Sequence, residues 1–131
     1  MTALILDAGA LIALDRNDRA VWAMLRVAAD DASTVQVPAG VIAQAWRDGG
    51  RQALLSRALA HCDEVPLDGV VARAAGLLCG QAGTADVIDA SVALTAAGVA
   101  RYEAVAIATS DPDDMRRLLS VLDVAARIVH V

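Results

Sequence analysis

Two short apolar runs, each followed at once by an aspartate, constrain this chain more than any other feature. Ala3 to Leu6 (ALIL) stops at Asp7, and AVAIATS, from Ala104 to Ser110, stops at Asp111. Continuous apolar runs of this length, without polar alternation, belong to strands buried on both faces, as in parallel sheets. Elsewhere the apolar residues recur at helical spacing. Ala10 to Leu14 begins a short helix after the first strand. AVWAMLRVAADDA puts Val21, Trp22, Leu25 and Ala28 on one face, with Asp18 ahead of it as a cap. Val35 and Val37 lie in the next strand, and Pro38 opens a helix through Val41, Ile42 and Trp46 that Gly49-Gly50 breaks. RQALLSRALAH is a further helix, and Val65 with Leu67 reads as a brief strand that Pro66 confines to a sheet edge. Asp68 caps VVARAAGLLCGQ, and Thr84 caps ADVIDASVALTAAG. Asp111-Pro112 starts the helix DDMRRLLSV, and ARIVHV is a last strand. Such alternation predicts an α/β domain over residues 1–131, with a parallel sheet of about four to five strands covered by helices on both faces.

Composition narrows the class. With 57% hydrophobic residues in 131, the chain can bury a core without disulfides or structural metal. No uncharged apolar run approaches the roughly 18 residues of a membrane span, so no membrane partner is expected. The apolar start carries Asp7 and no preceding basic residue, which makes it a first strand rather than a signal peptide. Cys62 and Cys79 lack metal-ligand spacing and read as reduced thiols of a cytoplasmic protein. All eleven basic residues are Arg, which excludes receiver domains and aspartyl phosphatases that need a Lys. Gly9 also stands where such a phosphatase carries its second acid. The net charge of -5 argues against a broad basic surface for nucleic acid. It is compatible with a nuclease, because an acidic site attracts phosphate once cations occupy it.

The acids are placed to form such a site. Ligands of open parallel sheets gather beyond the carboxyl ends of the strands, where Asp7 and Asp111 should project. Asp86 and Asp89 share one face near a helix start, and Asp114 lies one turn beyond Asp111. Clustered carboxylates repel one another, and a hard divalent cation relieves that conflict; oxygen donors point to Mg²⁺ or Mn²⁺ rather than zinc. Each acid also has a plainer reading. Asp7 and Asp111 would serve as helix caps, Asp86 as a first-turn acid favoured by the helix dipole, and Asp113 as a solvated one. Asp114 stands open between ligand and surface acid. Asp89, beside Ile88 and Val92, would be costly to leave unpaired.

The segments ALILDAGALIAL, VPAGVIAQAWR, DVIDASVALTA and IATSDPDDMRRL, in that order, resemble the PIN-domain family, and in particular the VapC-like toxins of bacterial toxin–antitoxin pairs. The resemblance covers nearly the whole chain. It implies a PIN-like three-layer sandwich and a Mg²⁺- or Mn²⁺-dependent endoribonuclease that cuts RNA, forms a homodimer and is held inactive by a cognate antitoxin. Carried over by position, Asp7, Asp89 and Asp111 are the catalytic metal ligands, with Asp86, Asp114 and Gln44 as further candidates. Thr109 matches a hydroxyl often seen just before the last acid, and is grouped with Arg47 and Arg51 as a contact for RNA or a partner. The chain departs from the family at Gln44, where the usual residue is Glu. A glutamine oxygen can ligate a cation but brings no charge and cannot act as a base. The alternative reading is therefore a catalytically weakened PIN-like module that binds a partner protein or RNA. His61 and His130 match no catalytic pattern, and an ordinary solvated face is the plain reading of Arg47 and Arg51; Arg116 and Arg117 complement the dipole of their helix.

Overall fold

A computed structural model describes residues 2–131. The chain runs through β1 (Thr2–Leu6), α1 (Ala8–Asp15), α2 (Arg19–Asp30), β2 (Val35–Pro38), α3 (Ala39–Ala45) and a 3-10 turn at Gly49–Arg51. It continues through α4 (Ala53–Leu59), β3 (Asp63–Val65), α5 (Gly69–Ala82), α6 (Val87–Ala100), β4 (Ala104–Thr109), α7 (Pro112–Leu122) and β5 (Arg127–His130). The strands form one sheet in the order β3-β2-β1-β4-β5, every pair parallel. The two apolar runs are thus central neighbours. Leu6 stands opposite Ala108, and the Asp7 N–H donates to the Ala108 carbonyl at 3.1 Å, so both strands release their acids at the same edge.

Helices cover both faces. α6 packs across β1, β2 and β4 with α5 and α7 outside it, while α1 packs on β1 and β4 beside α2 and α4. The buried side of α6 is Ala90, Ser91, Val92, Ala93 and Ala96, small enough to bring the helix close to the sheet. Ser91 tolerates that burial because its hydroxyl donates to the Ile88 carbonyl at 2.6 Å. The core is aliphatic, with Ile5, Leu6, Leu11, Leu14, Leu55, Leu78, Ile107 and Leu118 fully buried. Trp22 is only half-buried, its indole N–H satisfying the Leu14 carbonyl at the end of α1. Among the described residues no single helix is long and apolar enough to cross a membrane. Cys79 is buried and Cys62 half-buried, and both are free thiols. Burial, reinforced by Asp63 and Glu64, pushes the Cys62 thiol up to about 12.

Three local expectations are corrected. The helix after Pro38 ends at Ala45, not at the Gly49-Gly50 break. The reason is Gln52, whose Oε1 accepts from the N–H groups of Arg47 at 2.8 Å and Asp48 at 3.0 Å, while its Nε2 donates to the Ala45 carbonyl at 2.9 Å. Those two N–H groups would otherwise continue the helix. The helix after Thr84 is capped by Asp86, which accepts from the Asp89 N–H at 2.9 Å; Thr84 instead accepts from the Asp86 N–H. The edge strand covers Asp63–Val65 and leaves Leu67 outside, because Pro66 supplies no N–H to extend the ladder.

Candidate metal centre

Asp7 leaves β1 in an extended conformation and caps α1, with Oδ1 accepting from the Ala10 N–H at 3.0 Å. Its Oδ2 accepts from the Ser110 N–H at 3.2 Å, which ties the end of β1 to the end of β4. Asp7 is only 4% exposed. Gly9 makes this approach possible: a Cβ there would lie 2.5 Å from the Ser110 Cβ and would also strike its hydroxyl.

On the other side of that junction, the Thr109 hydroxyl accepts from the Asp111 N–H at 3.0 Å and turns the chain out of β4. Asp111 stands at the cap position of α7 but makes no side-chain bond to the helix, so its carboxylate is available elsewhere. Its carboxylate lies close to that of Asp114, one turn on, and the nearness and charge of Asp111 raise Asp114, while Arg117 opposes the rise. Asp89 enters from the first turn of α6. The carboxylate oxygens of Asp89, Asp111 and Asp114 all lie within 4.8 Å of one another. Burial pushes Asp89 up to about 7, with the charges of Asp86, Asp7 and Asp111 adding to the effect.

Two of the three principal sequence candidates, Asp89 and Asp111, therefore converge directly. Asp7 stands outside the 4.8 Å group, with both oxygens accepting backbone N–H groups, though its charge is felt at Asp89. Asp114, which the sequence left open, is in the group. Asp86 is outside it, its Oδ1 occupied as the cap of α6. Gln44 is exposed on α3 and makes no side-chain hydrogen bond among the described residues. Thr109 is fully buried, so the expectation that it contacts RNA or a partner is corrected: its hydroxyl is spent beneath the site. Arg47 and Arg51 do not continue the α3 face. Arg47 folds back onto the carbonyls of Ala43 and Trp46, and exposed Arg51 lies 3.6 Å from Asp48. Arg117, three residues beyond Asp114, pairs with it at 3.2 Å, a contact the sequence did not single out.

Three converging carboxylates with no nitrogen or sulfur donor form the all-oxygen set that suits Mg²⁺ or Mn²⁺. The group lies apart from the roomy hollow of about 660 Å³ between α2 and α4, which is lined by Arg19, Trp22, Arg26, Arg57 and His61.

A central β1 flanked by β2 and β4, helices on both faces and acids at the carboxyl edge define the PIN-like class of three-layer folds. The chain superimposes with a TM-score of 0.66 on a chain in the crystal structure of VapBC2 from Rickettsia felis bound to a DNA fragment from their promoter. The match covers 98% of each chain at 14% sequence identity. Neither a protein-family model nor a curated protein sequence matches the chain.

Proposed function

We propose that this chain is a metal-dependent endoribonuclease and the toxin of a toxin–antitoxin pair. The observation that carries the reading is the meeting of Asp89, Asp111 and Asp114, from two separate elements, at the carboxyl edge of a PIN-like sheet. These carboxylates would hold Mg²⁺ or Mn²⁺, which when bound polarises a phosphodiester oxygen and lowers the pKa of an attacking water. The protein's own part is positional and electrostatic. Asp89 would hold the cation in its ionised form, which a bound positive charge would favour against the burial and neighbouring acids that raise its pKa. Asp7 is immobilised by two backbone N–H groups, yet each oxygen retains a lone pair for the cation or its water. Asp86 adds charge from the α6 cap.

The partner and location follow from likeness rather than from the site. The structural neighbour is a VapBC2 complex, which supports an antitoxin partner for this chain. A homodimer, an RNA substrate and a cytoplasmic setting complete the proposal and rest on the sequence resemblance.

A specific observation favours a second reading, a binding module with weakened catalysis: the position of the usual second acid holds an exposed, uncharged Gln44. Cleavage of a mixed RNA pool in Mg²⁺ and in Mn²⁺ separates the two. The nuclease reading expects cleavage by the parent, abolished by EDTA and reduced at least about 100-fold in Asp89→Asn, a loss of roughly 2.7 kcal/mol in transition-state stabilisation. It expects Gln44→Glu to cleave faster, with a larger gain in Mg²⁺ than in Mn²⁺, since Mg²⁺ depends more on good oxygen ligands. A parent that does not cut, joined by a Gln44→Glu protein that does, would establish the weakened module.

A further inference from the structure

Even with a divalent cation in place, Asp89, Asp111 and Asp114 leave one negative charge uncompensated, and Asp7 and Asp86 add to it. A phosphodiester approaching such a centre is repelled unless the protein supplies a cation. Arg117 is placed to do so. Its Nη2 lies 3.2 Å from Asp114 Oδ1, and Asp111 stands at the cap position of the same helix. Helix side chains lean toward the N-terminus, and this guanidinium reaches back to Asp114, a member of the acid cluster.

The same helix contains an internal comparison. Arg116 pairs with Asp113 at the same spacing and the same 3.2 Å, but Asp113 is 93% exposed and outside the carboxylate group. The two arginines therefore share charge, sequence neighbourhood and helix, and differ in whether their acid belongs to the cluster.

On the reading that this cluster holds a metal, we propose that Arg117 is a substrate contact. It is held by Asp114 in the metal-free protein and turned to the phosphodiester once a divalent cation occupies Asp114. With a cation held by Asp114, the charge of that carboxylate would be shared with the ion and the guanidinium repelled, which would weaken the resting pair. The planar guanidinium fork then matches two non-bridging phosphate oxygens beside the metal. Half-exposed, at 54%, the side chain is free to make that movement.

The test compares full-length Arg117→Gln with Arg116→Gln, which removes the same charge one residue away. Thermal melts first establish that both variants fold, as expected for exposed positions. In Mn²⁺ titration without RNA, Arg117→Gln should bind about three- to ten-fold more tightly, because a competing positive charge is gone. Arg116→Gln should change binding less than about two-fold. With Ca²⁺ supporting binding in place of Mg²⁺, affinity for a short mixed-sequence RNA should fall roughly ten-fold in Arg117→Gln and hold in Arg116→Gln. Arg117→Lys should recover part of the RNA affinity, since it keeps charge but loses the fork. Equal effects at both positions, weaker Mn²⁺ binding in Arg117→Gln, or unchanged RNA affinity would overturn the assignment while leaving the metal centre standing. Failure of the parent to bind Mn²⁺ would remove the centre and this role together.

Discussion

At Gly9 a hydrogen atom in place of a side chain decides how closely two loops approach. The Ser110 N–H reaches Asp7 only because no Cβ intervenes, and that bond fixes the ends of β1 and β4 side by side. Gly9→Ala should therefore destabilise the protein by about 1–3 kcal/mol through overpacking. Ser110→Gly in the same chain removes the struck atoms and should restore most of the loss. Urea unfolding of the single and double variants checks this, and additive effects would show that the two residues do not meet. Asp89 gives a second test at this scale. Its folded value of about 7 lies above the ordinary 3.8, so the metal-free protein retains a proton that the unfolded chain releases. The stabilising contribution of the protonated form is complete below about pH 4 and is lost as pH rises through 7. In melts without metal, Asp89→Asn should gain on the parent steadily from about pH 5 to 7.5; a difference independent of pH would contradict the assignment. The meeting of Asp89 and Asp111 was anticipated by the sequence, because each ends or interrupts an apolar segment. The part played by Asp114 was not, since an acid in a helix's first turn has the same local pattern whether it faces solvent or a neighbouring carboxylate.

At the scale of elements, the apolar runs and caps gave most of the order, and tertiary hydrogen bonds moved the boundaries. Asp18 and Asp68 cap their helices as the pattern implied. α3 ends early because a side chain beyond the following turn takes its next two N–H groups, a competition that periodicity within the helix cannot register. Gln52 also donates to Asp15 at 3.2 Å, so one buried amide joins the end of α1, the end of α3 and the start of α4. Gln52→Leu should cost about 1–3 kcal/mol, since polar groups left unsatisfied forfeit their desolvation energy. Denaturant midpoints measure it, and a neutral outcome would mean that water replaces the amide. The edge strand illustrates the converse. Pro66 marked it correctly as an edge and Val65 is paired, yet the other two paired residues are polar Asp63 and Glu64, which an apolar-run criterion passes over.

For the whole molecule, alternation of strand and helix together with the resemblance implied the PIN-like sandwich, and the sheet order with its helical layers agrees. The placement of Asp111 was legible because parallel topology sends strand ends to one edge. Asp89 comes from the start of α6, which follows α5 rather than a strand, so its convergence depends on how those two helices pack. The position of Asp7 outside the tight group was not legible, because it depends on two backbone N–H groups supplied by Ala10 and Ser110. With mutually repelling acids at one edge, the proposed metal centre requires that the fold gain stability when a divalent cation is added. The most direct measurement of that claim is the melting temperature with and without millimolar Mn²⁺, in the parent and in Asp89→Asn. The account predicts an upward shift of several degrees in the parent and little or none in Asp89→Asn; no shift in the parent, or an equal shift in both, would contradict it.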